Sequence, residues 1–338
     1  MTNKILSIKP LGFQWETADP FLFCVHHEDQ YPKGNEKLGP NTSLGGRYLG
    51  QDFILKDGFR MYHGTEIPGF PGHPHRGFET ITVVREGLID HADSTGAHGR
   101  YGNGDVQWMT AGRGVQHSEM FPCLNLESEN PLELFQIWLN LPAKSKLVEP
   151  HFKMIWSEDI PSFLEKDDRG NATKVEVLIG NFKNQTAPSA PPNSWAAIPK
   201  NDVGIFNIQL DSHAKFIIPK SEFVINRTLY YYGGKGLSIE DQIIPNYHAV
   251  EVNAAHEVTL INGNEPGKLL ILQGRAINEP VVQHGPFVMN SKAEIYQAFS
   301  DYQETQFGGW PWPKNDLVHP RELGRFAVHS DGWEEIRD

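Results

Sequence analysis

Residues 70–82 read Phe-Pro-Gly-His-Pro-His-Arg-Gly-Phe-Glu-Thr-Ile-Thr and contain the triplet His73-Pro74-His75. A second triplet, His117-Ser118-Glu119, follows later in the chain. Each triplet places two metal-ligating side chains two residues apart. Residues i and i+2 of a β-strand project from the same face, so each triplet directs both donors to one side. Apolar and β-branched residues flank both triplets, which is typical of strands. The stretch therefore predicts a β-structure in which two strands bring four ligands into one interior.

The four candidate ligands are His73, His75, His117 and Glu119. Three imidazoles and one carboxylate suit iron, manganese, nickel, copper or zinc better than calcium or magnesium. Four protein ligands leave positions open on an ion of this size, where water, dioxygen or a chelating substrate can bind. The ligand set therefore predicts a reactive metal centre rather than a closed structural one.

Short apolar segments separated by Gly, Asn and Asp turns recur from residue 52 to about 140, as expected for an antiparallel barrel. Predicted strands include 79–85, 106–110 and 132–140. A second β-rich segment runs from 175 to about 273. The histidines of this second segment form no pair at a spacing of two, so we expect no metal there.

Four blocks of sequence resemble the pirin family of the cupin superfamily. They are residues 70–82, the block Gly-Asp-Val-Gln-Trp-Met-Thr-Ala-Gly-Arg-Gly-Val-Gln-His-Ser-Glu-Met at 104–120, Leu-Asn-Leu-Pro-Ala-Lys at 139–144, and Glu-Pro-Val-Val-Gln-His-Gly-Pro-Phe-Val-Met-Asn at 279–290. The resemblance spans roughly residues 15 to 305, and its motifs are long enough to be specific.

The resemblance implies an all-β bicupin, with two tandem cupin barrels and a few short helices. Carried over by position, the family's ligands fall on His73, His75, His117 and Glu119, with Fe²⁺ the usual ion and Mn, Ni, Cu or Zn as alternatives. Glu79 stands where the general cupin pattern places its carboxylate. Pirin-like proteins use the later glutamate, and Glu119 shares a strand face with His117, so we expect Glu79 to be a pocket residue.

We expect an N-terminal metal-binding cupin domain over residues 1–145, with a loop insertion at about 28–50, and a C-terminal cupin domain without a metal site over 146–305. Residues 306–338 form a tail. Ser291-Lys292-Ala293-Glu294 is a capping box and predicts that a helix begins there. Candidates for an aromatic wall beside the metal are Phe70, Phe78, Trp108 and Trp138.

The 338 residues carry 30 basic and 42 acidic side chains, a net charge of −12 that argues against direct binding to nucleic acid. No apolar run is long enough to predict a membrane span, and the N-terminus lacks the apolar core of a signal peptide. The two cysteines do not make a disulfide framework. We expect a cytoplasmic protein and a monomer.

Two functions fit this site. The resemblance implies a mononuclear iron dioxygenase acting on a small aromatic substrate of the flavonol (quercetin) type, in which Glu119 or Glu79 accepts the proton of a substrate hydroxyl. The alternative is an iron-dependent, redox-sensitive regulatory protein that acts on a protein partner without turnover. Fold alone does not separate the two, because cupins host many chemistries.

Overall fold

The computed structural model describes residues 3–337. The chain forms two compact units, and each is assembled from two separate segments. One unit consists of the chain up to Cys24 together with Glu158–Asn278. The other consists of Val25–Ser157 together with the chain from Glu279 onward. We expected one domain to end at residue 145 and the next to follow it. Each unit instead combines two segments, because the chain up to Cys24 packs with Glu158–Asn278 and the chain from Glu279 onward packs with Val25–Ser157.

In the unit built around residues 158–278, the described residues form a pair of antiparallel sheets and no α-helix. Its larger sheet has the strand order Ile5–Pro10, His248–Val252, Asn226–Gly233, Gly267–Gly274, Gly204–Leu210, Ala172–Ile179 and Ser162–Lys166. The smaller has the order Lys215–Ile218, Val258–Ile261, Ser238–Ile239 and Gln242–Ile243. A short hairpin pairs Asn181–Phe182 with Gln185–Thr186. Aliphatic and aromatic side chains from both sheets fill the core between them.

The unit built around residues 25–157 carries all four predicted ligands, and it also has two antiparallel sheets. The first has the order His151–Ile155, Val106–Thr110, Phe78–Glu86, Asn130–Asn140 and Phe21–Tyr31, the last of which enters this unit at Val25. The second has the order Glu334–Arg337, Arg325–Val328, His98–Gly102, Leu88–Asp93, Val115–Met120 and Gly69–His75. We call Gly69–His75 and Val115–Met120 the first and second ligand strands.

The three strands predicted in this unit are confirmed, with small shifts at their ends. The segment expected to begin a loop at residue 28 instead remains in strand as far as Tyr31. Asp29 explains the difference, because its buried carboxylate accepts hydrogen bonds from the Arg60 backbone amide and the Tyr62 hydroxyl. The irregular stretch that follows, 32–68, contains turns and isolated bridges.

The predicted helix is also confirmed. It spans Lys292–Thr305, and Ser291 is its N-cap, accepting a hydrogen bond from the Glu294 amide at 3.3 Å. In return the Ser291 hydroxyl donates to the Glu294 carboxylate at 2.7 Å. A hairpin, Val282–His284 with Phe287–Met289, precedes the helix. The 3₁₀ turns within residues 3–337 are Ala143–Ser145, Ser157–Asp159, Trp195–Ala197, Pro199–Asn201 and Gln306–Gly308.

The tail beyond residue 306 returns to the unit built around residues 25–157, which we call the metal unit because it carries all four predicted ligands. Its strand Arg325–Val328 pairs with His98–Gly102 and extends the second sheet. Nowhere in residues 3–337 is there a helix with the length and apolar character needed to cross a bilayer.

Candidate metal centre

The two ligand strands bring three imidazoles together. They are antiparallel, and His73 lies directly opposite His117 in their register. His75 is two residues further along the same strand and therefore on the same face. The ring centroids are 4.7 Å apart for His73 and His75, 4.5 Å for His73 and His117, and 4.8 Å for His75 and His117. The strand pairing that the two triplets predict is thus the source of the cluster.

The nitrogen atoms of this triad have the spacing of ligands that share one ion. One nitrogen from each of His73, His75 and His117 lies within 4.8 Å of the other two. Ligands about 2.1 Å from a common ion are separated by roughly 3 to 4 Å, so small side-chain adjustments suffice. Nε2 of His73 is 3.0 Å from Nε2 of His117. The Nδ1 atom of His73 lies 2.9 Å from the Pro71 carbonyl, which only accepts, so Nδ1 carries the hydrogen and Nε2 presents its lone pair to the triad.

Burial keeps these imidazoles neutral. Loss of solvent lowers the pKa of His73 to about 4. Burial, with a further contribution from neighbouring imidazoles, also holds the pKa values of His75 and His117 well below the usual histidine value. Neutral imidazole is the form that ligates metals. The triad is therefore ready to bind a cation at neutral pH without first losing protons.

Glu119 lies beside the triad on the same strand face as His117. Its Oε2 is 3.8 Å from Nε2 of His117. Thr82 donates to Oε1 at 2.7 Å, and the Gln136 amide donates to Oε2 at 2.7 Å. Burial raises the pKa of Glu119, and the hydrogen bonds from Thr82 and Gln136 oppose this increase. The carboxylate thus lies beside His117 but outside the group of three imidazoles whose ligand atoms are all within 4.8 Å of one another, and two polar side chains hold it in place.

Glu79 does not lie beside the triad. It is fully buried and accepts a hydrogen bond from Thr110 at 2.7 Å. The even-numbered residues of its strand face the centre, since the Phe78 ring is 5.1 Å from His75 and Thr82 contacts Glu119. Glu79 is odd-numbered and points to the opposite face. We therefore retain Glu119 alone as the candidate carboxylate.

Part of the predicted aromatic wall is present. Phe78 and Trp138 pack on each other with centroids 4.1 Å apart, and Trp138 is 5.4 Å from His75. Phe70 lies on the other side, 6.3 Å from His73. Trp108 does not belong to this wall, because it is opposite Ile81 in the strand register and so faces away with Glu79. Aromatic side chains therefore flank the triad on two sides.

Sequence reasoning missed two further polar residues beside the triad. His91 and Asp93 belong to Leu88–Asp93, the strand next to the second ligand strand. In its register His91 is opposite Glu119 and Asp93 is opposite His117. The signal was available, because His91-Ala92-Asp93 has the same spacing of two as the ligand triplets.

Comparison with known proteins agrees with this architecture. The Pirin family model matches residues 9–139, and the model of the Pirin C-terminal cupin domain matches residues 205–308. A pirin-like protein of Solanum lycopersicum is 36% identical over 256 residues, covering 74% of this chain and 80% of that protein. Pirin of Homo sapiens is 34% identical over 267 residues, covering 76% of this chain and 82% of its own length.

Two further similarities concern proteins named for quercetin 2,3-dioxygenase. A relative from Pseudomonas aeruginosa that bears this name provisionally is 34% identical over 256 residues, covering 75% of this chain and 85% of that protein. The crystal structure of quercetin 2,3-dioxygenase from Acinetobacter baumannii matches the fold with a TM-score of 0.71 at 24% identity, covering 90% of this chain and 98% of that one. The predicted all-β bicupin fold is confirmed, and this chain belongs to the pirin family of cupin proteins.

Proposed function

We propose that this protein is a metal-dependent dioxygenase with Fe²⁺ as its resident ion and a flavonol-like aromatic substrate. The observation that carries the proposal is the cluster of three neutral imidazoles, two buried and one partly buried, with a buried carboxylate 3.8 Å from one of them. His73, His75, His117 and Glu119 would hold the ion. Three imidazoles and a carboxylate suit iron, and Mn, Ni, Cu or Zn are the alternatives.

A divalent ion bound here supplies Lewis acidity toward a chelating substrate and, if redox-active, reactivity toward dioxygen. The protein's own part is to position the substrate and to take up a proton. Burial raises the pKa of Glu119 in the metal-free site, and a carboxylate with a raised pKa is suited to act as a general base. Its Oε2 would accept the proton of a substrate hydroxyl, while Gln136 and Thr82 fix the direction of the carboxylate.

The surroundings of the triad suit a flat aromatic substrate. Phe78 and Trp138 flank His75, and Phe70 flanks His73, so planar rings would be bordered by aromatic surfaces. Both atoms of dioxygen would enter the substrate, whose own electrons reduce them, so no external reductant is needed. The name of the relative from Pseudomonas aeruginosa supports a substrate of the quercetin type.

The decisive experiment is oxygen consumption with quercetin after anaerobic loading with ferrous iron. We expect uptake of one dioxygen per quercetin lost in the wild type. His75→Ala, which removes one imidazole of the triad, should abolish this uptake. His256→Ala, a histidine replacement in the other unit, is the matched control and should leave the rate unchanged.

Iron bound at one equivalent with no oxygen uptake would contradict the dioxygenase proposal. Equal uptake by the wild type and His75→Ala would contradict the assignment of the triad. Repeating the loading with Mn²⁺, Ni²⁺, Cu²⁺ or Zn²⁺ would identify the ion that sustains the fastest turnover.

One observation favours the second candidate, a regulatory protein that binds a protein partner. The segment from Tyr48 to Leu55, in the same unit as the triad, exposes large apolar side chains: Tyr48 by 74%, Ile54 by 79% and Leu55 by 54%. Such a patch is typical of interaction surfaces. In this case iron oxidation would change partner affinity, and Ile54→Asp would weaken that binding without affecting the iron content.

We further propose that the protein acts as a monomer in the cytoplasm. Cys24 and Cys123 are free and buried, which suits a reducing compartment. Sedimentation of the purified protein would test the monomer, and a dimer would point to the apolar segment from Tyr48 to Leu55 as its interface.

A further inference from the structure

The pair His91 and Asp93 has no role in the function proposed above, although both residues face the triad. His91 is fully buried and Asp93 is 1% exposed. Their register with the second ligand strand places them on the same face as Glu119 and His117. The His91 ring lies 5.6 Å from the His117 ring, centroid to centroid. A buried histidine and aspartate so close to a candidate ligand need a chemical explanation.

Asp93 determines which nitrogen of His91 carries the hydrogen. One carboxylate oxygen of Asp93 accepts from the Thr95 amide, the Thr95 hydroxyl and the Ala97 amide at 2.8, 2.6 and 3.2 Å. The other oxygen lies 3.2 Å from Nε2 of His91. A carboxylate held in this way only accepts, so His91 must donate from Nε2. In the neutral ring, Nδ1 is then a bare acceptor.

Phe152 holds the His91 ring in its plane. The two rings are stacked, with centroids 5.1 Å apart and an interplanar angle of 24°. Stacking on one side and the Asp93 hydrogen bond at Nε2 leave the imidazole little freedom to turn. The direction of its Nδ1 lone pair is therefore set by the protein.

His117 requires a hydrogen-bond acceptor at the ring nitrogen that does not face the triad. Its Nε2 faces the triad, 3.0 Å from Nε2 of His73, and a nitrogen that ligates a metal carries no hydrogen. Its Nδ1 must then carry one. Within residues 3–337, the Nδ1 atoms of both His117 and His91 are buried and have no hydrogen-bond partner. With a metal bound, Nδ1 of His117 is therefore a donor and Nδ1 of the neutral His91 ring an acceptor, in neighbouring rings on one face.

We propose that His91, held by Asp93, is the hydrogen-bond acceptor for Nδ1–H of His117, either directly after a small rotation of the His117 ring or through one water molecule. The pair is a positioning device for the metal centre. It fixes the tautomer and orientation of His117 and, through the negative charge of Asp93, makes that imidazole a stronger electron donor. This inference rests on the metal site of the proposed function but not on its dioxygenase chemistry.

The pair has consequences that can be measured without substrate. Loss of an acceptor behind a metal-ligating histidine typically weakens metal affinity about 10- to 100-fold. His91→Phe removes the acceptor but keeps an aromatic ring to stack on Phe152. His91→Gln keeps a side-chain oxygen that can accept, so it should restore part of the affinity.

His26→Phe provides a matched control in the same unit. His26 is also buried, stacks on an aromatic ring (Phe135, 4.7 Å and 20°) and pairs with a carboxylate (Glu133, 3.2 Å). Its partners Glu133 and Phe135 lie on the odd-numbered face of Asn130–Asn140, whereas Gln136 lies on the even-numbered face and contacts Glu119. His26 therefore packs on the face of this strand that is turned away from the triad. A purely structural role for His91 predicts similar effects in the two phenylalanine variants.

The experiment uses cobalt(II) as a paramagnetic probe, bound to the full chain in the absence of substrate. Competition with a chelator gives the affinity, and proton NMR detects the shifted, exchangeable imidazole N–H signals. In the wild type we expect an exchangeable N–H signal from each of the three imidazole ligands, including protected signals from His73, bonded to Pro71, and from His117. In His91→Phe the His117 signal should exchange rapidly and affinity should fall at least 10-fold, while the His73 signal persists. His91→Gln should recover part of both, and His26→Phe should change neither.

Unchanged affinity and exchange in His91→Phe, or equal losses in His91→Phe and His26→Phe, would overturn the inference. Failure of the wild type to bind cobalt(II) would overturn it together with the proposed function. Cobalt binding with the expected His91 effect, but without quercetin turnover on iron, would leave this inference standing and reject the dioxygenase alone.

Discussion

At the scale of single residues, burial decides the protonation state of several histidines in the metal unit. It lowers the pKa of His73 to about 4 and the pKa of His27 to about 3, and holds those of His75 and His117 well below the ordinary value. The unfolded chain binds these protons near pH 6.5, whereas the folded chain does not. Folding of the metal-free protein is therefore coupled to deprotonation of several imidazoles.

The sign of this coupling gives a prediction. Because the unfolded state binds more protons between pH 6.5 and about 4, the unfolding free energy should fall as pH decreases through this range, by about 1.4 kcal/mol per pH unit for each such histidine. Urea unfolding of the metal-free protein at several pH values measures the slope. His75→Phe should have a shallower slope than the wild type, and identical slopes would show that His75 is not neutral in the fold.

Glu119→Gln tests the carboxylate separately from the imidazoles. The amide keeps the size of the side chain but cannot accept a proton as a base. We expect kcat with quercetin to fall about 100-fold or more, the usual contribution of a positioned general base. Metal content should fall less than in His117→Ala, since the three imidazoles remain. Unchanged kcat at full metal content would assign the proton transfer to another group.

At the scale of elements, a buried lysine joins the turn after the first ligand strand to a distant hairpin. Lys146 is 1% exposed, and its ammonium donates to the Gly77 carbonyl, the Asn140 side chain and the Val288 carbonyl at 2.7, 2.7 and 3.1 Å. Gly77 has a φ of +87°, and a Cβ there would come within 2.0 Å of the Val288 oxygen. The close approach of these two backbones therefore requires both glycine and the buried ammonium.

Lys146→Met should lower the free energy of unfolding by about 3 kcal/mol or more, because it leaves three buried acceptors without a donor. Lys144→Met, at an exposed position in the 3₁₀ turn that Lys146 follows as C-cap, is the control and should have little effect. Chemical denaturation of both variants measures the difference. A loss below about 0.5 kcal/mol for Lys146→Met would mean that water replaces the ammonium.

At the scale of the metal unit as a whole, the C-terminal tail supplies hydrogen-bond acceptors to a buried ion pair. Arg100 and Asp90 are both fully buried and form a two-point ion pair, with distances of 2.6 and 2.8 Å. The remaining guanidinium hydrogens are taken by tail carbonyls of His319, Pro320 and Leu323, at 2.9, 3.0 and 2.8 Å. The tail also supplies Arg325–Val328 to the edge of the sheet that carries both ligand strands.

Removal of residues 309–338 should therefore destabilise the protein by at least about 3 kcal/mol, since a buried ion pair loses its remaining partners and a sheet edge is uncovered. Truncation after Asp331 keeps Arg325–Val328 and the three carbonyls, so its loss should be smaller. Unfolding midpoints in urea compare the three chains. Equal midpoints for the shortest and the full chain would show that the tail is dispensable.

Local strand geometry allowed the sequence to predict much of the site. The spacing of two in His73-Pro74-His75 and in His117-Ser118-Glu119 places each pair on one face of a strand wherever that strand lies, and the capping box at Ser291 specifies a helix start from four neighbouring residues. The strands, the imidazole triad and the helix could be predicted for this reason.

Only the tertiary structure decided the remaining relations, because they depend on which strands pair and in what register. Glu79 follows the general cupin spacing, yet its odd-numbered position on the strand Phe78–Glu86 directs its side chain away from the triad. His91 and Asp93 matter because their strand lies beside the second ligand strand. The tail reaches Arg100 from more than 200 residues away in the chain, and no local pattern encodes a contact that forms only when distant segments pack together.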